Sequence, residues 1–422
     1  MRAAIRPGAS PAGTLAAPPS KSMAHRAVLC AALAAGTSRL THLAHSQDID
    51  ATLGAAAAFG AAVQTGDTWA EITGAGAFRP AAGPVDCGES GSTLRFLIPL
   101  AALSGQPVTF TGHGRLMQRP QSVYQDLFGR QGLRFEQAGD TLTVAGPLRP
   151  GDFELAGDVS SQFVSGLLFA LPLLAGDSTL RLRPPVESRS YIQMTRAAQA
   201  AFGVQSRWLD DTTLLVPGNQ HYTPCNTAVE GDWSQAAFPA VLGALAGDVT
   251  VTGLAADTLQ GDAVIAQILR RCGAAVEQAE GGFRFRKSHL AGTEIDLADC
   301  PDLGPILMAL GLLCEGETVI ANAGRLRLKE SDRIAAMEQE LRKLGGRIES
   351  DGGTVTIRRS VLHAPAGPLW GHNDHRVVMS LTVLAAAAGL PVQIDGAEAV
   401  AKSWPGFFAA VRQLGVEVQT DA

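Results

Sequence analysis

Short clusters of polar and cationic residues recur along the chain, and each stands directly before a run of apolar residues. The clusters are Ser20-Lys21-Ser22, Glu89-Ser90-Gly91-Ser92, Ser160-Ser161-Gln162, Asp232-Trp233-Ser234, Pro301-Asp302 and Asn373-Asp374-His375-Arg376. Ser, Asp and Asn cap the free N–H groups of a first helical turn, so capping is the simplest interpretation of any one cluster. Capping does not account for Lys21, Arg26, Arg95 and Arg376, because the helix dipole disfavours cations there. We therefore expect an anionic ligand.

A second set of cationic clusters stands before runs with amphipathic helical spacing. They are Arg119-Pro120, Ser188-Arg189-Ser190-Tyr191, Lys329-Glu330-Ser331-Asp332-Arg333 and Lys402-Ser403-Trp404-Pro405. If the helices of a domain pack roughly parallel, their amino ends emerge at one side and present N–H groups and cations together. The expected ligand carries phosphate and carboxylate groups. Solvated surface charge is the alternative, but it does not explain the recurrence of these clusters at equivalent positions.

Two carboxylates are candidates for proton transfer. Asp302 precedes an apolar helix, where burial would raise its pKa and nearby cations would lower it, and this makes it a candidate general base. Glu330 lies between Lys329 and Arg333, so either an ion-pair strut or a proton shuttle fits it equally well. For His375 a positioning role is favoured over a catalytic one. The chain has no P-loop, HExxH or Ser/His/Asp order, and no metal site is expected.

Composition excludes several classes of protein. The 422 residues are 46% hydrophobic and 18% charged, which rules out disorder throughout, and two or three domains are expected at this length. The net charge of −6 has the wrong sign for a general nucleic-acid or anionic-membrane binder. The six scattered cysteines predict reduced thiols in a cytoplasmic protein. Neither a secretory signal nor an apolar run long enough for a membrane span is evident.

The glycines reveal an internal repeat. Apolar helical stretches end at Gly36, Gly105, Gly176, Gly247, Gly316 and Gly389, and a second series ends at Gly60, Gly132, Gly203, Gly273, Gly345 and Gly415. Within each series the spacing is about 70 residues, and glycine suits the left-handed backbone that often follows a helix. Two interleaved series with one period predict six copies of one structural unit.

Each copy has the pattern of an apolar helix, a strand, an amphipathic helix and two strands joined by a turn. The sixth copy lacks its closing strand, and we expect the N-terminal segment Arg2–Arg6 to supply it. Three copies then form each lobe. The first lobe is expected at residues 14–225, and the second at residues 1–13 with 226–422. Two chain crossings between the lobes predict a hinge and a cleft.

The chain resembles the 5-enolpyruvylshikimate-3-phosphate synthase family over nearly its whole length. Seven ordered motifs carry the resemblance, and together they are far more specific than any one of them. They are Pro19-Ser20-Lys21-Ser22 with Arg26, Arg119-Pro120, Ser160-Ser161-Gln162-Phe163, Pro301-Asp302, Lys329-Glu330-Ser331-Asp332-Arg333, Asn373-Asp374-His375-Arg376 and Ala401-Lys402-Ser403-Trp404-Pro405. The resemblance implies a two-domain inside-out α/β barrel built from six βαβαββ repeats, three per domain.

The resemblance also implies an activity. Members transfer the enolpyruvyl group of phosphoenolpyruvate to the 5-hydroxyl of shikimate 3-phosphate, through a tetrahedral intermediate and with release of phosphate. This reaction belongs to the shikimate pathway, which leads to chorismate and the aromatic amino acids. The resemblance implies no cofactor, and we expect a cytoplasmic monomer whose partners are these two substrates.

The residues that match the family motifs receive roles from the resemblance. Shikimate 3-phosphate is expected to contact Lys21, Ser22, Arg26, Ser160, Ser161, Gln162, Ser188, Tyr191, Asp302 and Lys329. Phosphoenolpyruvate is expected to contact Lys21, Gly91, Arg119, Gln162, Arg333, Arg376 and Lys402. Asp302 would take the hydroxyl proton, while Lys21 and Glu330 would manage protons at the enol carbon.

The chain departs from the family pattern at a few positions. Glu89 and His25 each stand where members commonly have Asn, and Gln118 stands where Glu is usual. Arg325 occupies a position where some members have Asn, so no role is carried over to it.

Two other functions compete with this interpretation. UDP-N-acetylglucosamine enolpyruvyltransferase has the same repeats and donor, but it usually carries a Cys in the loop that runs here from Gly112 to Ser122, and this loop has none. A non-catalytic anion-binding protein of the same fold is the other. The presence of Lys21, Asp302 and Glu330 together argues against it.

Overall fold

The chain forms two compact units. The computed structural model describes residues 1–76, 78, 79 and 81–421, and Ala422, where the predicted sixth repeat ends, lies outside them. The first unit is Lys21–Val229, and the second unit is Met1–Ser20 together with Glu230–Ala422. Each unit has a hydrophobic core of its own. No helix in the described part of the chain is long and apolar enough to cross a membrane.

The strands in the described part of the chain are short, with two to seven residues each. Up to residue 228 they are β1 (Arg2–Arg6), β2 (Ala12–Ala16), β3 (Ala35–Thr41), β4 (Ala62–Gly66), β5 (Trp69–Ala75), β6 (Val85–Asp86), β7 (Val108–Thr111), β8 (Arg134–Ala138), β9 (Thr141–Ala145), β10 (Asp152–Ala156), β11 (Ser178–Arg183), β12 (Arg207–Trp208), β13 (Thr213–Val216) and β14 (Thr227–Ala228). Beyond it they are β15 (Asp248–Thr252), β16 (Ala275–Ala279), β17 (Gly282–Arg286), β18 (Glu294–Asp296), β19 (Glu317–Ala321), β20 (Arg347–Asp351), β21 (Thr354–Arg358), β22 (Leu369–Trp370), β23 (Val392–Asp395) and β24 (Glu417–Thr420).

Helices alternate with these strands. They are α1 (Lys21–Leu33), α2 (Gln47–Ala58), α3 (Gly91–Ala101), α4 (Ser122–Gln131), α5 (Ser161–Ala170), α6 (Arg189–Ala201), α7 (Trp233–Ala246), α8 (Ile265–Arg271), α9 (Gly304–Gly311), α10 (Arg333–Lys343), α11 (His375–Ala388) and α12 (Phe407–Gln413). Short 3₁₀ turns lie at Leu116–Gln118, Leu171–Leu173, Gly261–Val264, Pro301–Leu303, Gly324–Leu328 and Ala397–Lys402.

Six four-stranded sheets repeat one pattern of pairing. Their strand orders are β14-β3-β5-β4, β6-β7-β9-β8, β10-β11-β13-β12, β2-β15-β17-β16, β18-β19-β21-β20 and β22-β23-β1-β24. In every sheet the first pair is parallel and the other two pairs are antiparallel. Three sheets belong to each unit, so the sixfold βαβαββ repeat predicted from the glycines is confirmed.

Strand β1 lies between β23 and β24 and pairs antiparallel with both. It therefore occupies, in the sheet of the sixth repeat, the place that β21 has in the fifth. The N-terminal segment thus supplies the third strand of that sheet, as expected from the sequence.

The first strands of the first and fourth repeats are exchanged between the units. Strand β2 pairs with β15 in the second unit, and β14 pairs with β3 in the first unit. For this reason residues 14–20 belong to the second unit and residues 226–229 to the first, whereas the expected lobe boundaries placed them the other way round.

The apolar helices are buried nearly all round because they pack against one another as well as against the sheets. Residues Trp233–Ala244 of α7 and His375–Ala385 of α11 are all buried. Helix α11 contacts α7 and α9, and in the first unit α3 contacts α5 while α1 contacts α2 and α6. The first turns of these helices carry the polar clusters seen in the sequence.

Glycine ends the amphipathic helices for the expected reason. Gly132, after α4, has φ +68°, and its N–H donates to the carbonyl of Gly129 while the N–H of Leu133 donates to Phe128. The other five glycines of that series also have positive φ. A side chain with a Cβ would be strained in this conformation.

Candidate functional site

Lys21 is the first residue of α1, and a carboxylate on the next helix holds its ammonium group. Its Nζ lies 2.6 Å from Oδ2 of Asp48, which is in the first turn of α2. Both side chains are mostly buried, with 17% and 10% of their surface exposed. A charge-assisted bond of this length fixes the position of the cation at the start of α1.

Arg26 is buried one turn further along α1 and ties this helix to α6. Its Nε donates to Oγ1 of Thr195 at 2.8 Å, its Nη2 to the carbonyl of Tyr191 at 3.0 Å, and its Nη1 to the carbonyl of Ser22 at 2.6 Å. Burial lowers the pKa of Arg26 to about 10, so it stays charged at neutral pH. The guanidinium sets the distance between the starts of α1 and α6.

Gln162 is oriented by Arg95. Nη1 of Arg95 donates to Oε1 of Gln162 at 2.8 Å, and Nε2 of Gln162 donates to Oγ of Ser92 at 3.0 Å. Nη2 of Arg95 also donates to the carbonyl of Pro120 at 3.1 Å. The starts of α3 and α5 and the Arg119-Pro120 turn are thereby joined by one arginine.

Arg119 lies directly against the first residue of α3. A Cβ added to Gly91 would come within 2.6 Å of Nη1 of Arg119, so any other residue here would displace the guanidinium from its present position. The side chain is 8% exposed, and its Nε has no hydrogen-bond partner in the described part of the chain. A guanidinium beside the free N–H groups of a helix start is a good site for an anion.

The remaining predicted residues of the first unit stand at the starts of α5 and α6. Ser160 caps α5, accepting a hydrogen bond from the N–H of Gln162 at 3.3 Å, and Ser161 is the first residue of that helix. Ser188 precedes α6 in a left-handed conformation with φ +55°, and Tyr191 follows in its first turn. These side chains have the hydroxyl groups that a phosphorylated polyol would need.

Asp302 is the centre of the predicted site in the second unit, and three cations surround it. Oδ1 lies 3.2 Å from Nζ of Lys329 and 3.1 Å from Nη1 of Arg333, and Oδ2 lies 3.1 Å from Nη2 of Arg376. Nη1 of Arg376 also donates to the Asp302 carbonyl at 3.0 Å. The carboxylate remains 20% exposed. It is held in place and still accessible, as a general base must be.

Arg333 is buried and makes ion pairs with two further carboxylates. Its Nε lies 2.9 Å from Oδ2 of Asp374, and its Nη2 lies 2.9 Å from Oε2 of Glu330. Burial opposes the charge of Arg333, but Asp374, Glu330 and Asp302 outweigh it and raise its pKa. Burial lowers the pKa of Lys329, and the charge of Asp302 works against this. Glu330 is thus an ion-pair partner in this structure.

The start of α11 supports the same cluster. Asp374 caps the helix, accepting a hydrogen bond from the N–H of Arg376 at 2.9 Å, and Nη2 of Arg376 donates to Oγ of Ser234 at 2.9 Å. Nζ of Lys402 donates to the carbonyl of Asn373 at 2.7 Å, and the residue is 4% exposed. His375 is buried in the first turn of α11.

Each unit therefore gathers its own share of the predicted residues. The residues of the first unit lie at or beside helix starts: Lys21, Ser22, Arg26, Gly91, Arg119, Ser160, Ser161, Gln162, Ser188 and Tyr191. The second unit brings together Asp302, Lys329, Glu330, Arg333 and Arg376, and Lys402 lies against the carbonyl of Asn373. Sequence reasoning gave no role to Asp48 or Asp374, the partners of Lys21 and Arg333. Both are acidic residues at helix starts, where capping explains them equally well.

Side chains that commonly bind metal ions are not clustered in the part of the chain that the structure covers. No group of three or more His, Cys, Asp or Glu side chains is arranged there to hold a metal ion. The carboxylates of Asp302, Glu330 and Asp374 are instead paired with Lys and Arg.

Comparison with known protein families gives one match over most of the chain. The family model described as EPSP synthase (3-phosphoshikimate 1-carboxyvinyltransferase) matches residues 5–411. The chain belongs to the EPSP synthase family. The 3-phosphoshikimate 1-carboxyvinyltransferase of Clostridium kluyveri is 42% identical over 408 residues, which are 96% of each chain. That of Clostridioides difficile is 36% identical over 415 residues, 96% of this chain and 95% of its own.

Solved structures share the fold. EPSP synthase from Acinetobacter baumannii superimposes with a TM-score of 0.80 at 24% identity, covering 99% of this chain and 100% of its own. The enolpyruvyl transferase NikO from Streptomyces tendae gives a TM-score of 0.80 at 17% identity over 99% and 98% of the two chains. The predicted two-domain inside-out α/β fold is confirmed by these structures.

Proposed function

We propose that this chain transfers the enolpyruvyl group of phosphoenolpyruvate to the 5-hydroxyl of shikimate 3-phosphate and releases phosphate. The reaction serves the shikimate pathway toward chorismate and the aromatic amino acids. The observation that carries the proposal is the convergence of Lys329, Arg333 and Arg376 on Asp302 within a chain of this family. An accessible carboxylate held by cations suits a base that must work beside two polyanionic substrates.

Residues of the first unit bind the acceptor and part of the donor in this proposal. Lys21, Ser22, Arg26, Ser160, Ser161, Gln162, Ser188 and Tyr191 hold shikimate 3-phosphate, together with Asp302 and Lys329. Lys21, Gly91, Arg119 and Gln162 hold phosphoenolpyruvate, together with Arg333, Arg376 and Lys402. Two contacts support these roles, the hydrogen bond of Arg95 to Gln162 and the packing of Arg119 on Gly91. They fix the hydrogen-bonding side chains of Gln162 and Arg119 before a ligand arrives.

The chemical steps need one base and a proton donor at the enol. A proton added to C3 makes C2 electrophilic, and the 5-hydroxyl oxygen then bonds to C2 while its proton passes to Asp302. The resulting tetrahedral intermediate loses phosphate from C2 and a proton from C3. Lys21, fixed by Asp48, and Glu330, fixed by Arg333, exchange the protons at C3. Fixed partners keep both groups in one orientation through the two steps.

The test is a coupled phosphate-release assay with phosphoenolpyruvate and each of two acceptors. We expect release with shikimate 3-phosphate, none with UDP-N-acetylglucosamine, and loss of release in Asp302→Ala. Asp351→Ala, an exposed carboxylate in the same unit, is the matched control and should turn over as the wild type does. Phosphate release with UDP-N-acetylglucosamine would show that the chain is UDP-N-acetylglucosamine enolpyruvyltransferase instead. No release with either acceptor would support a non-catalytic anion-binding protein.

We also infer a monomer that works in the cytoplasm. The six cysteines are all free thiols, as in a reducing compartment. The large exposed apolar residues, such as Leu209, Val361 and Trp370, are separated in the sequence rather than gathered in one segment. Light scattering after size-exclusion chromatography should give the mass of one chain, and twice that mass would refute the monomer.

A further inference from the structure

A line of buried hydrogen bonds runs from α1 through α2 to the start of α3. Nδ1 of His25 lies 2.7 Å from Oγ1 of Thr52, which lies 2.6 Å from Oγ1 of Thr93. The Thr93 hydroxyl donates to Oγ of Ser90 at 2.7 Å, and Ser90 caps α3 by accepting from the N–H of Thr93. None of the four side chains is more than 1% exposed.

The direction of these bonds assigns the proton on His25. Because Thr93 gives its hydroxyl proton to Ser90, the proton between the two threonines comes from Thr52. The Thr52 hydroxyl also donates to the carbonyl of Asp48 at 3.2 Å, so its one proton is shared between two acceptors and is not available to His25. Thr52 therefore accepts from His25, and Nδ1 carries the ring proton. Nε2 of His25 is then an unprotonated nitrogen, and it has no partner in the described part of the chain.

The charge of the ring is consistent with this tautomer. Burial, together with the charges of Lys21 and Arg26, lowers the pKa of His25 well below its ordinary value. A neutral ring at this position adds a hydrogen bond without adding a third cation to the start of α1.

His25 and Arg26 are neighbours in sequence but tie α1 to different helices. His25 connects it to the start of α3, where Gly91 packs against Arg119. Arg26 connects it to α6 through Thr195 and the Tyr191 carbonyl. In the proposed function Gly91 and Arg119 bind phosphoenolpyruvate, whereas Tyr191 binds the acceptor.

We propose that the line His25–Thr52–Thr93–Ser90 is a positioning device for the phosphoenolpyruvate site, fixing the start of α3 relative to Lys21. This inference rests on the proposed function for the identity of the ligand. His25 and Thr52 are positioning residues, and Thr195, which accepts from Arg26, is the corresponding positioning residue on the acceptor side.

The kinetic test compares two Michaelis constants in a matched set of variants. His25→Leu removes the donor, and we expect the KM for phosphoenolpyruvate to rise about tenfold, equivalent to about 1.4 kcal/mol, while that for shikimate 3-phosphate changes less than twofold. His25→Asn keeps an N–H that can reach Thr52, so it should restore most of the loss. Thr195→Val should raise the KM for shikimate 3-phosphate and leave the KM for phosphoenolpyruvate almost unchanged. An equal rise of both constants in His25→Leu, or no rescue by Asn, would overturn the proposal.

A double variant tests whether the residues act through one line. Since either change breaks the same chain of bonds, His25→Leu with Thr93→Val should raise the KM for phosphoenolpyruvate no more than about twofold beyond the larger single effect. Multiplication of the two single effects would show that the residues act independently and would refute the device.

The tautomer can be measured without activity, which separates this inference from the proposed function. A long-range ¹H–¹⁵N spectrum of the wild type should contain a neutral Nδ1–H imidazole that is missing from His25→Asn. An Nε2–H signal for His25 would refute the bond direction argued above, whatever the assays show. Wild-type protein that does not turn over would instead refute the proposed function.

Discussion

The ion pair between Arg333 and Asp374 is the perturbation that most directly tests how the second unit is built. Both side chains are buried, with 1% and 0% of their surface exposed, and two of the arginine nitrogens contact the carboxylate. Ser331 also donates to Asp374 at 3.0 Å. Replacing Arg333 with Met keeps much of the side-chain volume. It removes the cation that pairs with Asp374, together with the contacts of Arg333 with Asp302 and Glu330.

The cost follows from burial. Removing one partner of a buried pair costs about 3–5 kcal/mol because the other charge stays in a poorly solvated place. An exposed pair contributes only about 0–1 kcal/mol. We therefore expect Arg333→Met to lower the free energy of unfolding of the second unit by about 3–5 kcal/mol at pH 7.

The pH dependence has a definite sign. Burial alone would raise the pKa of Asp374, but the charge of Arg333 outweighs it and keeps this pKa below its ordinary value. The stability from the pair is thus present above the unfolded pKa, about 3.9, and is lost as pH falls through the lower folded pKa. In Arg333→Met the opposing charge is gone, so Asp374 protonates more readily. The deficit of the variant should shrink as pH falls toward 4.

Urea unfolding followed by tryptophan fluorescence can measure the free energy of unfolding at each pH, because Trp233 and Trp404 are buried in the second unit. The informative double variant combines Arg333→Met with Asp374→Asn, because Asn can still cap α11. The double variant should lose less free energy of unfolding than the sum of the losses in the two single variants. Arg134→Met breaks an exposed pair and should leave the midpoint unchanged. A loss below about 1 kcal/mol in Arg333→Met would refute the buried-pair argument.

One further variant and one chemical reagent test other parts of the site and fold. Arg119→Ala should raise the KM for phosphoenolpyruvate much more than that for the acceptor, with an unchanged unfolding midpoint, and equal effects on both substrates in steady-state kinetics would contradict its role. A maleimide should modify one thiol quickly in the native protein, that of Cys225, because the other five cysteines are buried and burial raises the pKa of Cys30 and Cys87. Mass spectrometry that shows more than one fast thiol would refute this burial.

Much of the fold could be predicted because the repeat is visible in the backbone conformation that its glycines require. A helix that ends in a left-handed residue favours glycine, so Gly132 and its equivalents mark the repeat without any knowledge of tertiary contacts. The lobe boundaries could not be obtained in this way. No local signal in Ala12–Ala16 identifies the partner of this strand, and only the sheet shows that β2 pairs with β15 across more than two hundred residues.

The site was predictable in its cations and less so in its anions. Lys21 and Arg376 stand out at helix starts because the dipole disfavours them there. Asp48 and Asp374 are what capping rules expect at such places, so nothing local distinguishes an ordinary cap from an ion-pair partner. Their importance arises from packing: α2 brings Asp48 to Lys21, and α10 brings Arg333 to Asp374.

The charges of the second unit explain how base and electrostatic functions can be linked. Within its cluster, Lys329, Arg333 and Arg376 face three carboxylates, those of Asp302, Asp374 and Glu330. The cluster is balanced in the ligand-free chain, so it orients groups more than it attracts anions. In the proposed reaction Asp302 accepts the hydroxyl proton, and three cations then face only two carboxylates. The net positive charge that arises in this addition step is still present in the next step, when negative charge builds on the departing phosphate and must be stabilised.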